Sequence, residues 1–188
     1  MVLAFLRAEA DGPRHRDAFA ALDRRLVEQP DRTDAAQNAA RFDVLAAYRG
    51  DMRTGTGYLG PLPSDVRWQR WALTPDELGG VRYANYLTWI KLSGGTRRIR
   101  DGAANVDRLQ CYENGHDINA GIRATARAID DGNPMPELIA VAGAADGRDL
   151  VLLEGHTRAT AYLIARRAPA EVTVLVGWSA TMDQWPWF

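Results

Sequence analysis

Apolar positions recur at helical spacing through the first half of the chain. Phe19, Leu22 and Leu26 share one face of a helix predicted over 15–29, which Pro30 stops. A second helix is predicted from after Thr33 to Arg49, with Phe42, Leu45 and Ala46 turned inward and Gly50 at its end. Residues 51–64 carry Gly55, Gly57, Gly60, Pro61 and Pro63 and are expected to form a long loop. Thr74-Pro75-Asp76-Glu77 marks a helix start: Thr74 caps, Pro75 suits the first helical position, and Glu77 closes a capping box. That helix is expected to reach about Leu92, with Tyr83, Tyr86, Leu87 and Ile90 on its apolar face. Ser93-Gly94-Gly95 ends it, and an arginine-rich loop, 96–100, follows.

The pattern then becomes mixed. Asp117 is placed to cap a helix that turns Ile122, Thr125, Ala126 and Ile129 inward and stops at Gly132. Short apolar runs at 137–142 and 150–153 read as strands joined through an Asp146-Gly147 turn. The second strand runs into Glu154-Gly155-His156-Thr157-Arg158, after which Ala159, Tyr162 and Leu163 mark another helix. A closing strand is predicted over 172–176. The tail Trp185-Pro186-Trp187-Phe188 carries enough apolar ring area to be expected to pack back on the domain.

Composition narrows the function classes. With 46% hydrophobic and 25% charged residues over 188 positions, a buried core is expected in one domain, or in one domain with an extra lobe. A net charge of −1 supplies no global basic field for DNA or an anionic membrane. Lys91 is the only lysine, so positive charge here means arginine, which suits paired contacts with phosphate or carboxylate. Cys111 is the only cysteine, which excludes an internal disulfide and a cysteine-rich zinc cluster and suits a cytoplasmic protein. The apolar start, residues 1–6, breaks at Arg7 and Glu9, too short for a signal peptide or a spanning helix.

Residues 154–158 carry the candidate chemistry. The first turn of a helix exposes unpaired N–H groups and a partial positive charge. Gly155 would let an anion approach the backbone, Thr157 adds a hydroxyl, and Arg158 can fork onto two phosphate oxygens. His156 would donate to a phosphate or stack on a base, and Glu154 would hold a Mg²⁺ ion or a ribose hydroxyl. The plain alternative is a structural turn followed by a threonine cap. P-loop, Gly-x-Ser-x-Gly and His-Glu-x-x-His signatures are absent, and Gly55-Thr56-Gly57 lacks the strand–helix context of a dinucleotide site. His15, His116 and His156 show no metal-ligand spacing.

From about 105 to 177 the chain resembles the ParB/sulfiredoxin-like domain. The shared order is Glu113 before a helix at 119–131, the Pro136-x-Leu138-Ile139-x-Val141 strand, the Asp146-Gly147 turn, the strand at 150–153, and the box Gly155-x-x-Arg158. The resemblance implies an α/β (α+β) fold with a ParB/sulfiredoxin-like core at 105–188 and a helical N-terminal extension at 1–104. It also implies a box that binds nucleotide phosphates. The wording Gly-His-Thr-Arg looks closest to the branch of ATP- or ADP-dependent kinases of free serine. There an Asp stands in place of Glu154 and a His-Glu pair in place of Tyr112-Glu113, so the acidic groups are kept and one histidine is lost. Sulfiredoxins carry a catalytic cysteine where this chain has His156, and Cys111 is out of register. Partition proteins continue into a helix-turn-helix domain, whereas this sequence stops about ten residues after its last strand.

The expectation is thus a phosphotransferase using ATP or ADP with Mg²⁺ on a hydroxyl of a small metabolite, an amino acid among the candidates. Glu154, Gly155, His156, Thr157 and Arg158 would bind the nucleotide, with Glu154 also the metal ligand. Glu113 would be the general base, or else simply an acid favoured before a helix. Arg97 and Arg98 would close over the γ-phosphate or a substrate carboxylate, or else lie on a solvated loop. Asp117, next to His116, reads as a cap, and Trp89 and Trp178 as core or pocket wall. The alternative is a nucleotide-binding regulatory switch, or a ParB-like nucleic-acid-associated protein without kinase activity; the charge balance disfavours nucleic acid. No membrane is expected, and the oligomeric state is not encoded in any pattern.

Overall fold

A carboxylate or hydroxyl caps each of the three helices whose starts the polar pattern marked, and the fold is built out from those starts. The structure, a computed structural model, describes residues 1–9, 22–113 and 115–188. These form two compact units, Met1–Val66 and Arg67–Phe188. The sequence boundary at 104/105 therefore falls inside the second unit, because residues 67–104 supply it with a strand and three helices.

The first unit holds α1 (Val2–Glu9), α2 (Arg25–Glu28) and α3 (Ala35–Arg49). Phe19, and with it residues 15–21 of the helix predicted over 15–29, lies outside the described residues; of the remainder only Arg25–Glu28 is helical. Asp34 caps α3 by accepting from Ala36 and Gln37 N–H at 2.8 and 3.1 Å, and Gly50 closes it at φ +97°. Leu45 is buried as expected, but Phe42 and Ala46 are only half-buried, and Arg41 is the other buried side chain of the helix. Its guanidinium donates to the Leu26 and Asp31 carbonyls and to the Asn38 and Gln37 side chains, so the buried cation meets four acceptors. Residues 51–64 contain neither helix nor strand, as expected.

The second unit contains β1 (Arg67–Leu73), α4 (Pro75–Gly80), α5 (Leu87–Leu92), α6 (Ile99–Asn105), β2 (Tyr112–Glu113), β3 (His116–Asp117), α7 (Ile118–Asp130), β4 (Leu138–Ala142), β5 (Val151–Glu154), α8 (His156–Ile164) and β6 (Val172–Trp178). The fold is mixed α/β. Its sheet runs β1-β6-β4-β5, with β1/β6 and β4/β5 antiparallel and β4/β6 parallel. Every residue of β4 is buried, which suits an inner strand covered on both faces. Ile118, Ile122, Ala126 and Ile129 of α7 join Ala159 and Ala161 of α8 in one core with the sheet. Among the described residues no helix is long and apolar enough to cross a membrane.

Three segments depart from the sequence pattern. The helix from Thr74 stops at Gly79-Gly80 rather than Leu92. Those glycines cost helix stability, and the backbone of Arg82 instead bonds the β5 edge, its N–H to Leu150 O at 2.9 Å and its carbonyl to Leu152 N–H at 2.8 Å. The chain then restarts as α5, which leaves Leu87 85% exposed and Tyr83 fully buried. The loop expected at 96–100 turns into α6 at Ile99. Strand β1 went unpredicted because Arg67, Gln69 and Arg70 interrupt its tryptophans, the composition of an edge strand.

The Thr74 cap is complete: Oγ1 accepts from Glu77 N–H at 3.4 Å, and the Glu77 carboxylate accepts from Thr74 N–H and Oγ1, both at 2.8 Å. The backbone bond from Thr74, followed by its hydroxyl, holds the Glu77 carboxyl below its usual pKa. A depressed carboxyl stabilises the fold above its unfolded pKa of 4.5 and loses that contribution as pH falls through the lower folded value. Thr74→Ala should cost about 1 kcal/mol. The melting-temperature gap from the parent, followed by circular dichroism, should narrow below the unfolded pKa of Glu77.

Candidate functional site

Strand β5 delivers Glu154 to the sheet end, and Gly155 turns the chain into α8. Gly155 has φ +96°, the left-handed region that an L side chain enters at a cost, and a Cβ there would lie 2.5 Å from Leu138 Cδ2. The first intrahelical bond runs from Ala159 N–H to Gly155 O at 2.8 Å, so the N–H groups of His156, Thr157 and Arg158 precede the ladder. No side chain caps them. This is the amide cluster and dipole end expected of the box.

The side chains are arranged less simply. Arg158 Nη2 is ion-paired with the Glu154 carboxylate and also reaches Glu137 O at 3.5 Å. The two side chains are 13% and 11% exposed, and Arg158 Nε is buried with no hydrogen-bond partner. Glu154 and Arg158, both expected to face ligand, thus neutralise each other across the turn. Magnesium at Glu154 does not fit that arrangement, since a guanidinium already occupies its carboxylate. Among the described residues no group of three His, Cys, Asp or Glu side chains is placed to hold a metal.

His156 is held by its surroundings. Its Nε2 accepts the Ala84 N–H at 3.2 Å, which requires that nitrogen to be unprotonated. Its ring lies 6.0 Å from Tyr83 at an interplanar angle of 16°, with Trp89 at 5.2 Å and Tyr86 at 6.4 Å. Tyr83 shares a 2.7 Å bond with Thr160 Oγ1, which donates to His156 O at 2.8 Å, and burial pushes the phenol pKa well above its usual value. The aromatic contacts were not read from the sequence. The three-residue spacing of Tyr83, Tyr86 and Trp89 is the available signal, but the helical pattern assigns Tyr83 and Tyr86 to a helix face and Trp89 separately to core or pocket wall.

Thr157 sits beside α7: a Cβ added at Gly121 would lie 3.9 Å from its methyl group. Asp117 caps α7 as expected, accepting from Ala120 N–H at 2.9 Å. Glu113 is half-buried in the β2–β3 hairpin opposite His116, directly before that helix. The hairpin therefore leads into the helix whose first turn borders the box. Trp89 is core, and Trp178 is half-buried beneath the Arg67 guanidinium.

The two loop arginines are committed elsewhere. Arg97, at φ +61°, donates from Nε to Tyr83 O at 2.9 Å and from Nη2 to Trp187 O at 3.1 Å. Burial, then the charge of Arg82, pushes its pKa down. Arg98 is exposed and donates to Gly80 O at 3.2 Å; Arg100 donates to Gly79 O and Asp76 O, so both are bound to carbonyls of α4. The tail packs back: Trp185 is buried, Trp187 O also accepts Asn85 N–H at 3.0 Å, and the Trp187 ring lies 6.2 Å from Tyr86.

Gly155→Ala should destabilise the protein by about 2–4 kcal/mol in urea denaturation, from the left-handed φ together with the Leu138 clash. Gly121→Ala, whose Cβ meets only ordinary contact inside α7, should be neutral or gain up to about 1 kcal/mol. Comparison with protein-family models, curated proteins and solved structures finds no match to this chain.

Proposed function

We propose that this protein binds a nucleotide through its phosphates at the start of α8, as a ligand-responsive binding protein with a ParB/sulfiredoxin-like core. The observation that carries the reading is the uncapped first turn of α8 behind a left-handed glycine, with the partly buried Arg158 beside it. Such a turn offers convergent amides and a positive dipole end, the features that suit an oxyanion. Thr157, whose methyl group lies beside Gly121 of α7, adds a hydroxyl to this turn.

Phosphoryl transfer to a small hydroxyl substrate is the second reading. It is favoured by the hairpin that sets Glu113 before α7, the helix bordering Thr157. In it Glu113 takes the proton of the acceptor hydroxyl, and the box holds the phosphates in line. Arg97 enters neither reading, because its guanidinium anchors Tyr83 and the tail.

Thermal unfolding with ATP, ADP, CTP and GTP, each with and without magnesium, tests the first reading. A ligand at 100 times its Kd should add about 2.7 kcal/mol of stability and raise the melting temperature by several degrees. No rise with any nucleotide would sink the assignment. Arg158→Lys keeps the charge but loses the planar fork, and should lower the nucleotide-induced rise by at least half, roughly, while unfolding stays cooperative. Glu113→Gln separates the readings: it should leave binding intact in both, and abolish product formation only in the second.

A further inference from the structure

We infer that β1 is a pairing edge on which a second copy of this chain docks, β1 against β1 and antiparallel about Gln69, so that two sheets become one. The inference stands apart from nucleotide binding and does not depend on it.

β1 ends the sheet order and is paired on one side only, with β6. Such a strand directs the N–H and C=O groups of alternate residues away from the sheet. Among the described residues nothing bonds the backbone of residues 67–73 outside the β6 ladder. The strand is seven residues long, its register with β6 is unbroken, and it holds no proline and no lysine. Shortness, bulges, proline and lysine are devices that close an edge to pairing, and β1 has none of them. Its two charges are drawn away from the edge. Arg70 Nε reaches over β6 to the Glu137 carboxylate at 2.6 Å. The Arg67 guanidinium lies 5.5 Å from the ring centre of Trp178, its partner on β6. Both arginines are exposed and already matched, so a strand added at this edge buries no unpaired charge.

The order Arg67-Trp68-Gln69-Arg70-Trp71 decides the partner. Residues directly opposed in an antiparallel pair point their backbone groups alike, so a two-fold axis between copies of one strand passes through a residue. With the axis at Gln69, Arg67 faces Trp71 of the second copy and Trp68 faces Arg70 of the second copy. Each pair lies on one face of the joined sheet, and a guanidinium opposite an indole is a favourable cation–π contact. An axis at Arg70 would oppose two like charges, and no axis at another residue of β1 sets an arginine against a tryptophan. The strand is thus complementary to itself in one register. β5 and the turn at Gly155 stand at the opposite edge of the sheet, away from the pairing.

Sedimentation velocity of the full chain, over about 1 to 100 μM, tests the pairing by showing a species of twice the 20.8 kDa chain mass that grows with concentration. Gln69 is exposed and its side chain makes no hydrogen bond among the described residues, so it can be replaced without loss to the single copy. Gln69→Lys sets two ammonium groups face to face at the axis and should weaken dimerisation by at least about ten-fold. Gln69→Glu should do the same with two carboxylates, and an equimolar mixture of the two variants should recover the dimer. A parent chain that stays monomeric over the whole range overturns the inference. So does a dimer that Gln69→Lys leaves intact, which would use another surface, or a mixture that remains monomeric.

Discussion

The turn at Gly155 and the buried ion pair that spans it organise the second unit. The left-handed glycine lets β5 end and α8 begin without an intervening loop, and it brings Glu154 within reach of Arg158 on the next turn. A buried pair of this kind is weak evidence for stability, because desolvation consumes most of the Coulomb gain. Its value lies in specificity. It ties a strand end to a helix start in one register, and it leaves the first-turn amides facing a neutralised neighbour rather than a free cation.

Around that turn the segment between Arg82 and Arg97 acts as a second strap. Its backbone bonds the β5 edge at Arg82, accepts Arg97 at Tyr83 O, and gives the Ala84 N–H to His156. The tail closes the same network from outside through Trp187 O, which accepts from Asn85 and Arg97. The His156 ring is consequently positioned by four neighbouring groups of that one strap: the Ala84 N–H and the rings of Tyr83, Tyr86 and Trp89.

Arginine at least partly withdrawn from solvent recurs as a building element, which follows from a composition with one lysine. Arg41 gathers four acceptors in the first unit, Arg97 two carbonyls in the second, and Arg158 a carboxylate with a distant carbonyl. The planar fork satisfies scattered acceptors that an ammonium would reach singly. It also explains why hydrophobic periodicity alone misplaced the inner face of α3: Arg41 is inward there, and Phe42 is only half-buried.

The sequence by itself determined what local chemistry dictates. The Thr74 capping box, the Asp117 cap, the start of α3 after Thr33, the apolar runs of β4, β5 and β6, and the glycine turn into α8 depend on neighbours within a few residues, and each is found where the pattern placed it. Tertiary structure decided what depends on distant partners. The break after Gly80 exists because Arg82 bonds the β5 edge, and β1 exists because β6 offers it a ladder. The commitment of Arg97 to the tail is a contact across ninety positions that spacing does not encode. At the box both levels met: the backbone turn was legible because glycine and helix termini are local, while the pairing of Arg158 with Glu154 was not, because it depends on the surroundings that enclose the two side chains.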